Sequence, residues 1–199
     1  MSTTQLQRRS RRAGWRLATV RVIVAAAVVV GAVAHRTEST ASVALTSDDA
    51  IAIAQGVSVT PAPGWTFGHR GPNWVALNNA DTSAQLRITV KPAAGTDAAG
   101  LLQADIDQYT NSASAILTDV NRLSAPDVKP LPGANFQQEA SINYTATVVD
   151  PQGTIPVIGT FTEMLNTGNG RSAFIDFRQD SSATTQAAGD GGLMISSMQ

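Results

Sequence analysis

The sequence predicts an α+β domain in which an antiparallel sheet, a hairpin plus a three-stranded meander, is flanked by helices as a layered sandwich. Three patterns carry this. Leu86, Ile88 and Val90 alternate with Gln85, Arg87, Thr89 and Lys91, the period of a half-buried antiparallel strand. Ile142, Tyr144, Ala146 and Val148 alternate in the same way with Ser141, Asn143, Thr145 and Thr147. Between them, Leu102, Ile106, Tyr109, Ala113, Ile116 and Val120 follow at steps of 4, 3, 4, 3 and 4, one apolar stripe at the helical period.

The elements follow in chain order. Two short apolar runs, Ala50–Ala54 and Val57–Thr60, are stopped by Pro61-Ala62-Pro63-Gly64, a strong turn signal. Trp65-Thr66-Phe67 leads into Gly68-His69-Arg70-Gly71-Pro72, read as a loop, and Asn73–Leu77 as a strand. Asn78-Asn79-Ala80-Asp81 has hairpin chemistry, and Pro92 ends the strand Ala84–Lys91. Thr96 or Asp97 caps the long helix, which Ala125-Pro126-Asp127 closes. Val128–Leu131 is extended up to Pro132-Gly133. The meander runs through Ala140–Val149, Pro156–Asn166 and Arg171–Arg178, with turns at Asp150–Gly153 and Thr167–Gly170. Ser181 or Ser182 caps a last helix reaching Met198. Gly189, Gly191 and Gly192 each weaken it by about 1 kcal/mol, so two pieces are expected, with Asp190 capping the second.

The chain has 199 residues, 14 basic and 15 acidic side chains, and a formal charge of −1. That balance is a cancellation. Residues 1–34 hold six Arg and no acid, +6, which leaves eight basic groups against all 15 acids in residues 35–199, −7. The absence of cysteine excludes disulfides, thiolate metal sites and cysteine nucleophiles. Two histidines leave no basis for a His-rich zinc site, and the acidity of the folded part argues against a nucleic-acid partner. No metal and no cofactor is expected.

The N-terminus carries the sequence's address. RRSRRAGWR at residues 8–16 precedes an apolar run, residues 22–34, the pattern of export or anchoring. Residues 17–34 form either a transmembrane signal anchor or a signal peptide. Ala32-Val33-Ala34 is an acceptable cleavage site. The expected organisation is a basic cytoplasmic leader (1–16), the apolar segment (17–34), a Ser/Thr-rich linker (35–47) and an extracytoplasmic domain (48–199). On this reading the protein sits in the cell membrane by a single pass, with the inner membrane as partner through residues 17–34, or is secreted.

Candidate functional residues are few. Trp65, Phe67 and Trp74 form an aromatic group at one end of the first sheet segment, suited to stacking on a sugar or lining an acyl groove. His69 and Arg70 beside them could recognise an anionic head group. These five are the ligand-binding candidates; no catalytic and no metal residue is assigned. Asp105 and Asp107 stand about 200° apart on a helix, cannot share one ion, and read as a solvated face.

Pro61-Ala62-Pro63-Gly64-Trp65, one long helix, a three-stranded meander and a terminal helix ending Ile195-Ser196-Ser197-Met198 together resemble the PsbP-like superfamily. Within it the chain is similar to the exported actinobacterial branch that includes the LpqN/LpqT lipoproteins, over roughly residues 55–198. It departs from them in having no lipobox cysteine. The resemblance implies an αβα sandwich without enzymatic activity, acting as an accessory or binding module of the cell envelope. The expectation is therefore a non-catalytic, membrane-tethered binding protein for an envelope lipid or an integral membrane protein. The alternatives are a secreted interaction protein cleaved after Ala34 and an envelope hydrolase using His69.

Overall fold

Pairing between segments far apart in sequence makes one sheet of what the sequence reads as two pieces. The computed structural model describes residues 50–198. A separate two-stranded hairpin comes first, β1 (Ile51–Ala54) and β2 (Val57–Val59), turning at Gln55 and Gly56 with φ of 50° and 79°. Then follow β3 (Thr66–Arg70), β4 (Trp74–Asn78), β5 (Ala84–Pro92) and α1 (Ala98–Ser112). The rest of the chain forms β6 (Leu117–Arg122), β7 (Asp127–Pro130), β8 (Gln138–Asp150), β9 (Gly153–Asn166), β10 (Arg171–Gln179) and α2 (Thr185–Ser196). The larger sheet has eight strands in the order β3-β4-β5-β10-β9-β8-β6, with β7 also paired to β8. The fold is α+β, a mostly antiparallel sheet with two helices.

The seam is β5 against β10, in register from Ala84↔Gln179 to Pro92↔Arg171. It fuses the expected hairpin and meander. β10 thus lies mid-sheet, and every residue from Arg171 to Arg178 is buried. Its alternation feeds two cores. Ala173, Ile175 and Phe177 join Leu86, Ile88, Val90, Ala187 and Met194 on the face covered by α2 and the β1–β2 hairpin. Phe174 joins Leu102, Ile106, Ile142, Tyr144 and Phe161 beneath α1.

The polar face of β5, expected in solvent, also lies beneath α1. Lys91 bonds Asp105 of the helix, and the Arg87 guanidinium sits over the rings of Trp74 and Tyr109. Asp107, by contrast, is exposed. The two carboxylates diverge as helical spacing requires, but Asp105 is a buried ion-pair partner and not part of a solvated face.

Asp97 caps α1, accepting from the Gly100 N–H at 2.7 Å. The helix stops at Ser112, far short of the expected Val120. Leu117–Arg122 instead pairs with β8 as strand β6, because ladder bonding to an open edge outweighs helical propensity in Ile116-Leu117-Thr118. The apolar stripe survives the change: Ala113, Ile116 and Val120 still pack on the same core as Ile106.

Helix α2 is one piece, with Thr184 at its N-terminal boundary and no side-chain capping bond. Ser182 instead bonds the Asp180 carboxylate, and Asp190 accepts from the Trp65 indole at 3.1 Å rather than capping a second segment. Gly191 explains the continuity, since the helix crosses Phe177 so closely that a Cβ there would lie 2.6 Å from the ring.

The membrane reading is corrected. Among the described residues no helix is long and apolar enough to cross a membrane. Residues 1–16, 17–34 and 35–47, including the Ala32–Ala34 cleavage site, lie outside the described residues. The single-pass anchor, the inner-membrane partner and the cell-membrane address are not carried further.

Two substitutions separate packing from propensity in α2. Gly189→Ala meets nothing within 4 Å and should stabilise the protein by about 1 kcal/mol. Gly191→Ala should destabilise it by about 1–3 kcal/mol through overpacking against Phe177. Thermal unfolding of the two variants should move Tm in opposite directions.

Candidate functional site

The five candidates from the sequence do not converge. Trp65 is 1% exposed and packs in the α2-side core, its ring 6.4 Å from Phe177. His69 and Arg70 are on strand β3, not in a loop, because β3 pairs with β4 through an irregularity between Phe67 and His69. That register sets Phe67 opposite Leu77 and Arg70 opposite Val75, both on the hairpin side, where Arg70 Nη2 donates to the Ala52 carbonyl at 3.3 Å. His69 falls opposite Ala76 and turns to the α1 side, which it shares with Trp74. The aromatic trio is therefore divided between the two faces of the sheet, an outcome fixed by strand parity that no count of aromatics reveals.

A concavity of small-molecule size lies elsewhere. On the α2 side the helix covers β10 but leaves β8 and β9 open beside it. The step encloses a groove of about 510 Å³. Asn143 and Thr145 of β8 and Ile158 and Thr160 of β9 form its floor. Phe177, Gln179 and Ala188 form the wall beneath α2, and Leu123 stands on the rim. No Asp, Glu, Lys, Arg or His lines it. Thr160 Oγ1 donates to Asn143 Oδ1 at 2.8 Å, which leaves the Asn143 amide hydrogens to a visitor. A second concavity of about 310 Å³ shares Thr160, Phe177 and Ala188 and ends at the Lys129–Glu139 ion pair, 2.9 Å apart. The sequence concealed this floor, since Asn143 and Thr145 are the polar half of an alternating strand and read as a wetted face. The only trace of a wall was the run of small residues in α2, which the sequence presents as a weak helix.

Beneath α1 the sheet carries a buried polar seam. Asp176 of β10 accepts from Tyr109 Oη at 2.9 Å and Tyr144 Oη at 2.5 Å, and Arg178 Nη1 lies 3.5 Å away. Burial, reinforced by the Asp176 charge, raises both phenols well above the ordinary tyrosine value. They are hydrogen-bond donors at any physiological pH, not acids or bases. Arg178 Nη2 donates to Gln85 Oε1 at 2.7 Å. Beside Asp105, Glu163 of β9 is 0% exposed, and neither carboxyl oxygen has a hydrogen-bond partner. Loss of water first, and the adjoining Asp105 carboxylate second, push its pKa up to about 8. Glu163 is thus neutral at pH 7, beside an Asp105 whose charge Lys91 balances. Among the described residues no group of three or more His, Asp or Glu is placed to hold a metal ion.

No protein-family model matches the chain, and no curated protein does. Among solved structures, it is similar to the Saccharomyces cerevisiae Ran-binding protein Mog1p, with a TM-score of 0.47 and 10% identity over 71% of this chain and 86% of that one. A point mutant of Mog1 gives a TM-score of 0.48 at 10% identity, covering 75% and 92%. A Bacteroides thetaiotaomicron protein gives 0.31 at 11% identity, covering 69% and 43%. Likeness at this level assigns neither family nor partner.

The Glu163 environment makes stability depend on pH. The unfolded carboxyl titrates near 4.5 and the folded one near 8, so the folded state holds the extra proton between them. Its contribution is complete below pH 4.5, declines as pH rises toward 8, and changes no further above that. The loss is on the order of a few kcal/mol. Glu163→Gln keeps a neutral side chain at every pH and should flatten this slope in urea unfolding. A variant whose pH profile runs parallel to wild type would contradict the assignment.

Proposed function

We propose that this chain is a non-catalytic binding module that holds an uncharged, amphiphilic small molecule in the groove beside α2. The observation that carries this is the groove itself: about 510 Å³, within the range of small-molecule sites, and lined by no ionic side chain. Ile158 and Phe177 offer apolar contact, while Asn143, Thr145, Thr160 and Gln179 offer neutral hydrogen bonds that fix orientation. A charged ligand would lose its hydration there without gaining a counter-charge. The lining also lacks an acid–base pair. Tyr144, the one titratable residue on it, spends its hydroxyl on Asp176.

We read the layered arrangement as the αβα sandwich of the PsbP-like superfamily. Support comes from the Pro61–Trp65 turn, the single helix between the two halves of the sheet, and α2 ending at Ser196-Ser197-Met198. A binding role without turnover is what that resemblance implies.

The test is titration with octyl glucoside below its micelle concentration, followed by NMR shifts of groove amides. Saturable shifts at Thr145, Ile158 and Ala188 are expected. Ala188→Trp adds bulk at an exposed helix position and should weaken binding by about tenfold or more with stability nearly unchanged. No saturable binding, or equal binding by the variant, would refute the proposal.

A further inference from the structure

The α1 side of the sheet holds a second concavity of a different chemical character. It lies under the C-terminal half of α1, about 280 Å³ in volume, against β3, β4, β5 and β10. Its polar walls are His69, Gln85, Arg87 and Arg178, and its apolar ones include Trp74 and Ile116. No carboxylate lines it, although residues 50–198 contain twelve Asp and Glu against seven Lys and Arg. A cationic cleft in an acidic domain is a local arrangement, not a consequence of composition.

Arg87 is the group without a counter-charge. Its guanidinium carbon stands 4.0 Å from the centroid of the Trp74 ring and 5.8 Å from that of Tyr109. Among the described residues no carboxylate lies within ion-pair distance of it, and it makes no hydrogen bond. Contact with an aromatic ring engages the face of a guanidinium and leaves its in-plane N–H donors unused. The neighbouring charges are already matched. Arg178 faces Asp176, Lys91 bonds Asp105, and Glu163 keeps its proton. Arg178 is 4% exposed, and its buried Nε still has no acceptor. Two guanidinium groups on one cleft therefore retain unused donors, and the charge of one of them, Arg87, has no partner.

We propose that this cleft is a binding site for a small carboxylate carried on a compact apolar or aromatic body. The carboxylate pairs with Arg87, whose fork matches its two oxygens, while the body lies among Trp74, Ala76, Ala113 and Ile116. The site is on the opposite face of the sheet from the α2 groove, and its ligand differs in charge, so the two sites stand or fall separately.

The test uses benzoate as probe, with benzamide as its neutral counterpart and inorganic phosphate as an anion without an apolar body. Binding to the folded protein is read from NMR shifts and the Trp74 indole N–H. Benzoate should bind saturably and weaken by about tenfold in Arg87→Gln. It should weaken again as salt rises to about 0.5 M. Benzamide and phosphate should each bind at least about tenfold more weakly than benzoate. Ser112→Trp, at an exposed helix position on the same lining, fills the cleft while keeping the Arg87 side chain and should also abolish benzoate binding. It should leave octyl glucoside binding in the α2 groove unchanged. Absence of benzoate binding, equal binding of benzamide, equal binding of phosphate, or indifference to Ser112→Trp would each overturn the proposal.

Discussion

The structure depends on one buried carboxylate. Asp176, at the centre of the central strand, is 1% exposed and would be costly to ionise without partners. It has three: the hydroxyls of Tyr109 and Tyr144 and the Arg178 guanidinium. Each partner comes from a different place. Tyr109 is on the helix, Tyr144 is two strands away, and Arg178 is two residues along the same strand. Hydrogen bonds to a buried charge are worth about 1.5–3 kcal/mol apiece, more than neutral ones. Leaving the charge unpaired would cost more than the bonds contribute. Helix α1 is therefore committed to one rotation and one depth over the sheet.

That commitment organises both faces. With Tyr109 and Arg178 fixed by Asp176, the cleft beneath α1 has rigid walls, and Arg87 lies across it against Trp74. Tyr144 stacks on Phe161 with centroids 4.0 Å apart and packs so near Gly159 that a Cβ there would lie 2.7 Å from its ring. Gly159 is part of the α2 groove. The same carboxylate thus stiffens the strands under the groove from behind. The two faces differ because the α1 side carries ionic groups, paired at Lys91–Asp105 and Asp176–Arg178 and unpaired at Arg87, whereas the groove lining contains none.

The sequence made the strands legible and the sites illegible, for physical reasons. Leu86, Ile88 and Val90, and likewise Ile142, Tyr144, Ala146 and Val148, announce themselves because a period of two survives any context. Their polar alternates carry less, since Arg87 and Lys91 lie half-buried under α1, while the exposed Asn143 and half-buried Thr145 sit on a groove floor that alternation does not reveal. The helical stripe identified the right core but the wrong boundary. Ile116 and Val120 reach that core from a turn and from strand β6. His69 and Trp74 share the α1 side while Trp65 and Arg70 do not, because one irregularity in β3 sets their parity. Arg87 and Arg178 meet only through the β5–β10 pairing, across about ninety residues of chain, and local pattern holds no record of that distance.

The most direct test of this account is a pair of double-mutant cycles in urea unfolding, Asp176→Asn with Tyr109→Phe and Asp176→Asn with Tyr144→Phe. A shared carboxylate predicts that both cycles are non-additive by about 1 kcal/mol or more. Additivity within about 0.5 kcal/mol in either cycle would contradict it, and would mean that the tyrosine concerned contributes by packing and not through the carboxylate.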